Sequence, residues 1–182
     1  MNVGKANLNT NKNIYLIGFM AAGKSTVGKI LANKLQRQFL DTDELIEHKT
    51  GQSIPEIFQT KGETYFRQVE SEIVQSVAKN RDSVIAVGGG AVLSQNNWRL
   101  ITQTGCTIYL EWNLSLLLPR ILHDHSRPVV SNKISVLNSA EITNLFNSRK
   151  TRYQQADYSI MCDNNMTPSE IALKILSLFE RK

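Results

Sequence analysis

Eight residues constrain this chain more than any others: Gly18-Phe19-Met20-Ala21-Ala22-Gly23-Lys24-Ser25, an instance of G-x-x-x-x-G-K-[ST]. The pattern has a mechanical meaning only between a strand and a helix, and its flanks supply both. Residues 14–17 form a short continuous apolar run, as expected of a strand covered on both faces. From residue 24 to 35 the apolar spacing turns helical, with Val27, Ile30, Leu31 and Leu35 on one face. Successive backbone N–H groups at such a helix start, reinforced by the helix dipole, face phosphate oxygens. Gly18 and Gly23 let the loop turn where a side chain would collide. Lys24 is placed to bridge the β- and γ-phosphates, and the Ser25 hydroxyl to meet Mg²⁺. Gly18, Ala21, Ala22, Gly23, Lys24, Ser25 and Thr26 are therefore the expected nucleotide cradle.

The alternation continues along the chain. Short strands are expected at 39–40, 84–87, 107–110 and 158–161, the first closed by Asp41 and the second stopped by Gly88-Gly89-Gly90. Helices are expected at 44–48, 54–60, 63–79, 97–102, 115–122, 140–155 and 168–179. Ser53 caps the 54–60 segment, Pro55 lies in its first turn and Gly62 just past its end. Strand and helix in turn predict a three-layer α/β domain with a mostly parallel, five-stranded sheet. Residues 1–12, rich in Asn, Lys and Gly, read as a frayed tail, and 13–182 as a single domain. Residues 123–138 have no clean period and read as a loop or lid. The His-x-His at His123 and His125 lacks a nearby third ligand and reads as solvated loop.

Composition narrows the function classes. With 182 residues, 41% hydrophobic and 20% charged, the chain can bury a core and is neither disordered nor fibrous. The net charge is +5, and residues 120–153 carry six cations against two anions. So local a field suits a small anionic ligand better than a nucleic acid backbone. Cys106 and Cys162 show no paired spacing, which points to a reducing compartment. No apolar run reaches the roughly 18 residues of a membrane span. Lys5 and Lys12 before the apolar stretch 14–22 imitate a secretory signal, but the phosphate-loop pattern accounts for those residues more specifically. A GTPase should carry Asn-Lys-x-Asp and Asp-x-x-Gly; Asn132-Lys133-Ile134-Ser135 lacks the Asp, and the second pattern is absent. A nucleic-acid motor needs a longer chain and a basic stripe.

Other residues suggest an acceptor side. Asp41-Thr42-Asp43 follows the second strand, at the sheet edge where the phosphate loop also lies. One carboxylate can hold Mg²⁺ through water while the other takes an acceptor hydroxyl; Asp43 can equally be a helix cap. Arg67 and Glu70 stand at i, i+3, where an arginine fork can meet a carboxylate, or merely form a surface ion pair. Three glycines at 88–90 after a buried strand allow a ligand close to the main chain, or a flexible turn.

The ordered set GFMAAGKST, DTDELIE, FRQVE, VGGGAVL, SRP and RxxxY resembles the shikimate kinases, over residues 13 to 179. The resemblance implies a nucleoside-monophosphate-kinase-like fold with a mobile lid, ATP and Mg²⁺ as cofactors, and shikimate as substrate. By it, Asp43, Arg67, Gly89 and Arg149 bind shikimate, with Arg67 and Arg149 on its carboxylate. Lys24, Asp43 and Arg127 are catalytic, Arg127 reaching the transferring phosphate from Ser126-Arg127-Pro128. Arg120 flanks the adenine, and Asp41 with Ser25 places Mg²⁺. It also implies a cytoplasmic setting in the pathway toward chorismate, with no membrane or nucleic acid partner; a monomer is the simplest state. Two positions depart from the family: Ala21 stands where glycine is usual, and Met166 where an arginine often sits. A left-handed requirement at Ala21 costs on the order of 1 kcal/mol. The readings set against this one are a related small-molecule kinase, such as one for gluconate, and a catalytically silent nucleotide-binding protein. The first should lack the two arginines combined with the triple glycine, and the intact Lys24, Ser25, Asp41, Asp43, Arg67, Arg127 and Arg149 give no support to the second.

Overall fold

A computed structural model describes residues 12–123 and 138–180. Residues 1–11 of the expected tail, and 124–137 of the expected lid with His125 and Arg127, lie outside the described residues.

β1 (Asn13–Ile17) is buried along its whole length, which is why its sequence is apolar without alternation. It lies in the middle of a five-stranded sheet with β2 (Gln38–Asp41), β3 (Ser83–Ala86), β4 (Gly105–Trp112) and β5 (Tyr158–Cys162). The order is β2-β3-β1-β4-β5, and every neighbouring pair is parallel. β5 is an edge strand and alternates buried with exposed positions in its second half. Buried Asn13 ties the centre together: its Nδ2 donates to the Asn80 carbonyl and its Oδ1 accepts from the Ser83 amide.

Parallel neighbours require crossovers. α1 (Lys24–Leu35) carries the chain from β1 outward to β2. Later connections run the other way across the sheet, through α2 (Thr42–Thr50) and α3 (Ile54–Val77), then α4 (Gln95–Thr104), then α5 (Leu114–His123) and α6 (Ser139–Tyr153). Right-handed crossovers therefore put α1 on one face and these helices on the other. Consistent with that, α1 packs against α7 (Pro168–Glu180), while α3 packs against α4. β1 has β3 on one side and β4 on the other, so the direction of winding reverses at its end. That crevice is where α/β sheets bind ligands, and Gly18 opens the phosphate loop there.

Three local expectations change. The helical segments expected at 54–60 and 63–79 run as one stretch from Ile54 to Val77, broken where Gly62 takes φ 78° and ψ 175°. The expected strand 107–110 extends to Gly105–Trp112, because it pairs along β1 at one end and β5 at the other. The helix after β2 begins at Thr42, so its cap is Asp41, whose carboxylate accepts from the Asp43 amide; Asp43 sits inside the first turn. Ser53 does cap its helix, in a capping box with Glu56.

Candidate active site

The phosphate loop is shaped by left-handed and extended glycine conformations. Gly18 takes φ 145° and Gly23 φ 83°, and Ala21 takes φ 58°. Ala21 thus occupies the left-handed region that glycine would fill with less strain. Lys24, Ser25 and Thr26 form the first turn of α1. Lys24 Nζ donates to the Gly18 and Phe19 carbonyls, each at 3.0 Å, so the ammonium is held over the loop mouth. Ser25 Oγ donates to Asp41 Oδ2 at 2.5 Å, while Asp41 Oδ1 accepts from the Asp43 amide at 2.9 Å. One carboxylate therefore joins the loop to the turn that carries Asp43.

These donors are hard oxygen groups, which suit Mg²⁺. No group of three His, Cys, Asp or Glu side chains among the described residues can enclose a metal ion. A cation at Ser25 and Asp41 must then complete its shell with phosphate oxygens and water, as Mg²⁺ does beside a nucleotide.

The acceptor side is assembled at Gly88-Gly89-Gly90. A Cβ on Gly88 would lie 2.6 Å from Asp43 Oδ1, and one on Gly90 would lie 2.6 Å from Arg67 Nη1. One on Gly89 would lie 3.4 Å from Arg149 Nη1, the Tyr153 hydroxyl and the Gly18 carbonyl. Gly88 and Gly90 are glycine because the Asp43 and Arg67 side chains crowd onto them, while Arg149 and Tyr153 approach Gly89 to ordinary contact. The Gly88 amide donates to Thr42 Oγ1 at 2.8 Å, which holds the turn against the start of α2.

Arg67 Nη1 meets both oxygens of Glu70, at 3.1 and 2.9 Å, and Glu63 takes Nε and Nη2 at 3.2 Å. The surface-pair alternative fails, because Glu70 is only 3% exposed. Burial pushes the Glu70 carboxyl above its ordinary pKa; Arg67 and Arg149 pull it down and Asp43 pushes it further up. Burial works against the Arg67 guanidinium too, but the Glu70 and Glu63 carboxylates outweigh it and hold it charged.

Arg149 lies on α6 with its guanidinium 5.9 Å from the Phe19 ring centroid. Its Nε is buried and has no hydrogen-bond acceptor among the described residues. A buried N–H without an acceptor is costly, so this atom calls for an anionic or carbonyl oxygen from a ligand.

Tyr153 ends the RxxxY pattern, and the sequence alone assigns it no role. It lies one helical turn beyond Arg149, and its hydroxyl donates to the Gly89 carbonyl at 2.7 Å. Burial raises its pKa to about 12, partly offset by Arg149, so it remains a donor. The i, i+4 spacing to Arg149 was the available signal. Thr42, the middle residue of Asp41-Thr42-Asp43, has no role in the sequence reading, and Trp112 does not enter it. Arg120 lies on α5, 4.1 Å above the Trp112 ring centroid, with Nη2 donating to Asn164 Oδ1 at 3.0 Å. Met166 packs against the core rim and takes a 3.3 Å contact from Lys174 Nζ at its sulfur.

A phosphate loop at the switch point, facing two guanidinium groups and a carboxylate across one glycine turn, defines a P-loop kinase of small molecules. A family model described as shikimate kinase matches residues 20–180. A shikimate kinase of Sulfurihydrogenibium sp. (strain YO3AOP1) is 41% identical over 94% of this chain and 99% of its own. One from Rippkaea orientalis is 44% identical over 90% of this chain and 86% of its own. The solved shikimate kinase from Acinetobacter baumannii in complex with shikimate superposes with a TM-score of 0.84, at 37% identity, covering 96% of this chain and 98% of that one. The chain belongs to the shikimate kinase family.

Proposed function

We infer that the protein transfers the γ-phosphoryl group of ATP to the 3-hydroxyl of shikimate, giving shikimate 3-phosphate and ADP. The observation that carries this reading is the convergence of Asp43, Arg67 and Arg149 on Gly88-Gly89-Gly90, with the buried Arg149 Nε lacking an acceptor. Shikimate offers one carboxylate and a ring of hydroxyls, which complements two guanidinium groups and one carboxylate.

The proposed roles combine position in the fold with the family resemblance. Gly18, Ala21, Ala22, Gly23, Lys24, Ser25 and Thr26 hold the triphosphate, with Lys24 neutralising the charge that moves. Arg120 flanks the base. Arg67 and Arg149 grip the shikimate carboxylate, and the Gly89 main chain with Asp43 takes its hydroxyls. Asp43 orients the 3-hydroxyl and accepts its proton as the oxygen attacks the γ-phosphorus. Mg²⁺, held by Ser25 and Asp41, supplies charge neutralisation at the phosphates when bound. Arg127, which lies outside the described residues, is given the transferring phosphate by the family resemblance, where its charge would add to that of Lys24. The reading takes 13–182 as one kinase domain, working as a monomer in the cytoplasm. Two unbridged cysteines support the reducing setting, and no described helix is long and apolar enough to cross a membrane.

Coupled ADP release, with and without shikimate, tests the reading. Shikimate-dependent release is expected; equal ATP hydrolysis in both arms overturns it.

A further inference from the structure

We propose that Trp112 is the positioning residue that aims the phosphate loop, its indole N–H holding the Ala22 carbonyl so that the Gly23 N–H faces the nucleotide phosphates. The proposal rests on the reading that this loop holds ATP.

Trp112 ends β4 and is 4% exposed. Its Nε1 donates to the Ala22 carbonyl at 3.1 Å, a buried bond between residues 90 apart in sequence. The peptide joining Ala22 to Gly23 is trans, like every other described here. In a trans planar unit the carbonyl and the following N–H point in opposite directions. Pulling the Ala22 oxygen inward onto the indole therefore turns the Gly23 N–H outward, toward the mouth where Lys24 stands.

That peptide needs holding. Ala21 before it takes φ 58° and Gly23 after it φ 83°. Gly23 adopts positive or negative φ at little cost, so rotation of the Ala22–Gly23 peptide, which trades ψ of Ala22 against φ of Gly23, meets no side-chain barrier at Gly23. Such a rotation would strand a buried indole N–H, which opposes it. The bond from Trp112 thus holds a peptide that Gly23 leaves free to turn. The ring's other neighbour strengthens the assignment. Arg120 lies 4.1 Å above it and is steadied by Asn164, so one indole keeps the loop and a nucleotide-side guanidinium in register.

Trp112→Phe keeps the ring and removes the donor. It is expected to raise the ADP dissociation constant and the KM for ATP about five- to tenfold, the effect of one buried hydrogen bond. The shikimate KM should stay within about twofold. A KM for ATP within twofold of the parent, or an equal rise for both substrates, overturns the proposal. The chain has two tryptophans, so Trp98→Phe leaves Trp112 as sole emitter and gives a reading that does not require Trp112→Phe to fold. ADP should then change the indole emission and shikimate alone should not; emission indifferent to ADP also overturns it. Because ADP binding is read without an acceptor, failure to phosphorylate shikimate leaves this test intact.

Discussion

The two halves of the site are built by opposite strategies. The phosphate side is one unbroken segment, Gly18 to Thr26, and works through backbone groups whose direction is set by positive φ at Gly18, Ala21 and Gly23. The acceptor side draws single side chains from α2, α3 and α6 onto the three-glycine turn after β3, and works through charge. A local strategy tolerates a poor residue such as Ala21 at the expense of strain. A distributed one tolerates little, because the charges lean on one another: burial raises the carboxyl of Glu70, 3% exposed, and Arg67 beside it pulls it back down. Asp41 is the physical hinge between them, taking Ser25 on one oxygen and the Asp43 amide on the other.

That contrast predicts where substitutions will be felt. Asp43→Asn should have the largest effect, lowering kcat by about 10²–10⁴ with the KM for ATP within about twofold, in steady-state assays varying each substrate. A parallel loss of ATP binding would mean the halves are not separable. Arg149→Ala comes next. Its shikimate KM should rise about ten- to hundredfold, the worth of a charge-assisted bond, and an unchanged KM removes Arg149 from the acceptor side.

Glu70→Gln sharpens the comparison through pH. A carboxyl whose folded pKa is raised binds its proton more readily in the folded state, so its ionisation weakens folding as pH rises. The parent's Tm relative to Glu70→Gln should therefore rise as pH falls from neutrality toward the ordinary carboxylate range. A difference independent of pH contradicts the burial argument. Ala21→Gly should have the smallest effect, stabilising the phosphate loop by about 1 kcal/mol and leaving the shikimate KM alone. Isothermal titration with ADP measures it, and weaker binding would show that the loop is not strained there.

The same contrast explains what could be read from sequence. The phosphate side was legible because its signal is contiguous: spacing, flanking strand and flanking helix all lie within residues 14–35. Strand and helix order was legible for the same reason; it led to a mostly parallel sheet, and every described pair is in fact parallel. Ends of elements were not. β4 outruns its apolar run because Glu111 takes a bond from Ser159 on β5 and Trp112 reaches Ala22, partners far away in sequence. Asp43 looked like a cap because the helix was expected two residues late; Asp41 holds that post. On the acceptor side, the residue types pointed to an organic acid only through family resemblance, since Arg67 with Glu70 is indistinguishable from a surface pair until burial is known. Tyr153 and Thr42, which hold the glycine turn, carry no motif of their own beyond spacing.

The central claim is that Arg67 and Arg149 close on one carboxylate beside the phosphate loop. A crystal structure with shikimate and ADP tests it most directly. The account predicts the shikimate carboxylate between the two guanidinium groups, an oxygen on Arg149 Nε, and the 3-hydroxyl at Asp43. Shikimate bound with its carboxylate away from Arg149, leaving Nε without an acceptor, would contradict it.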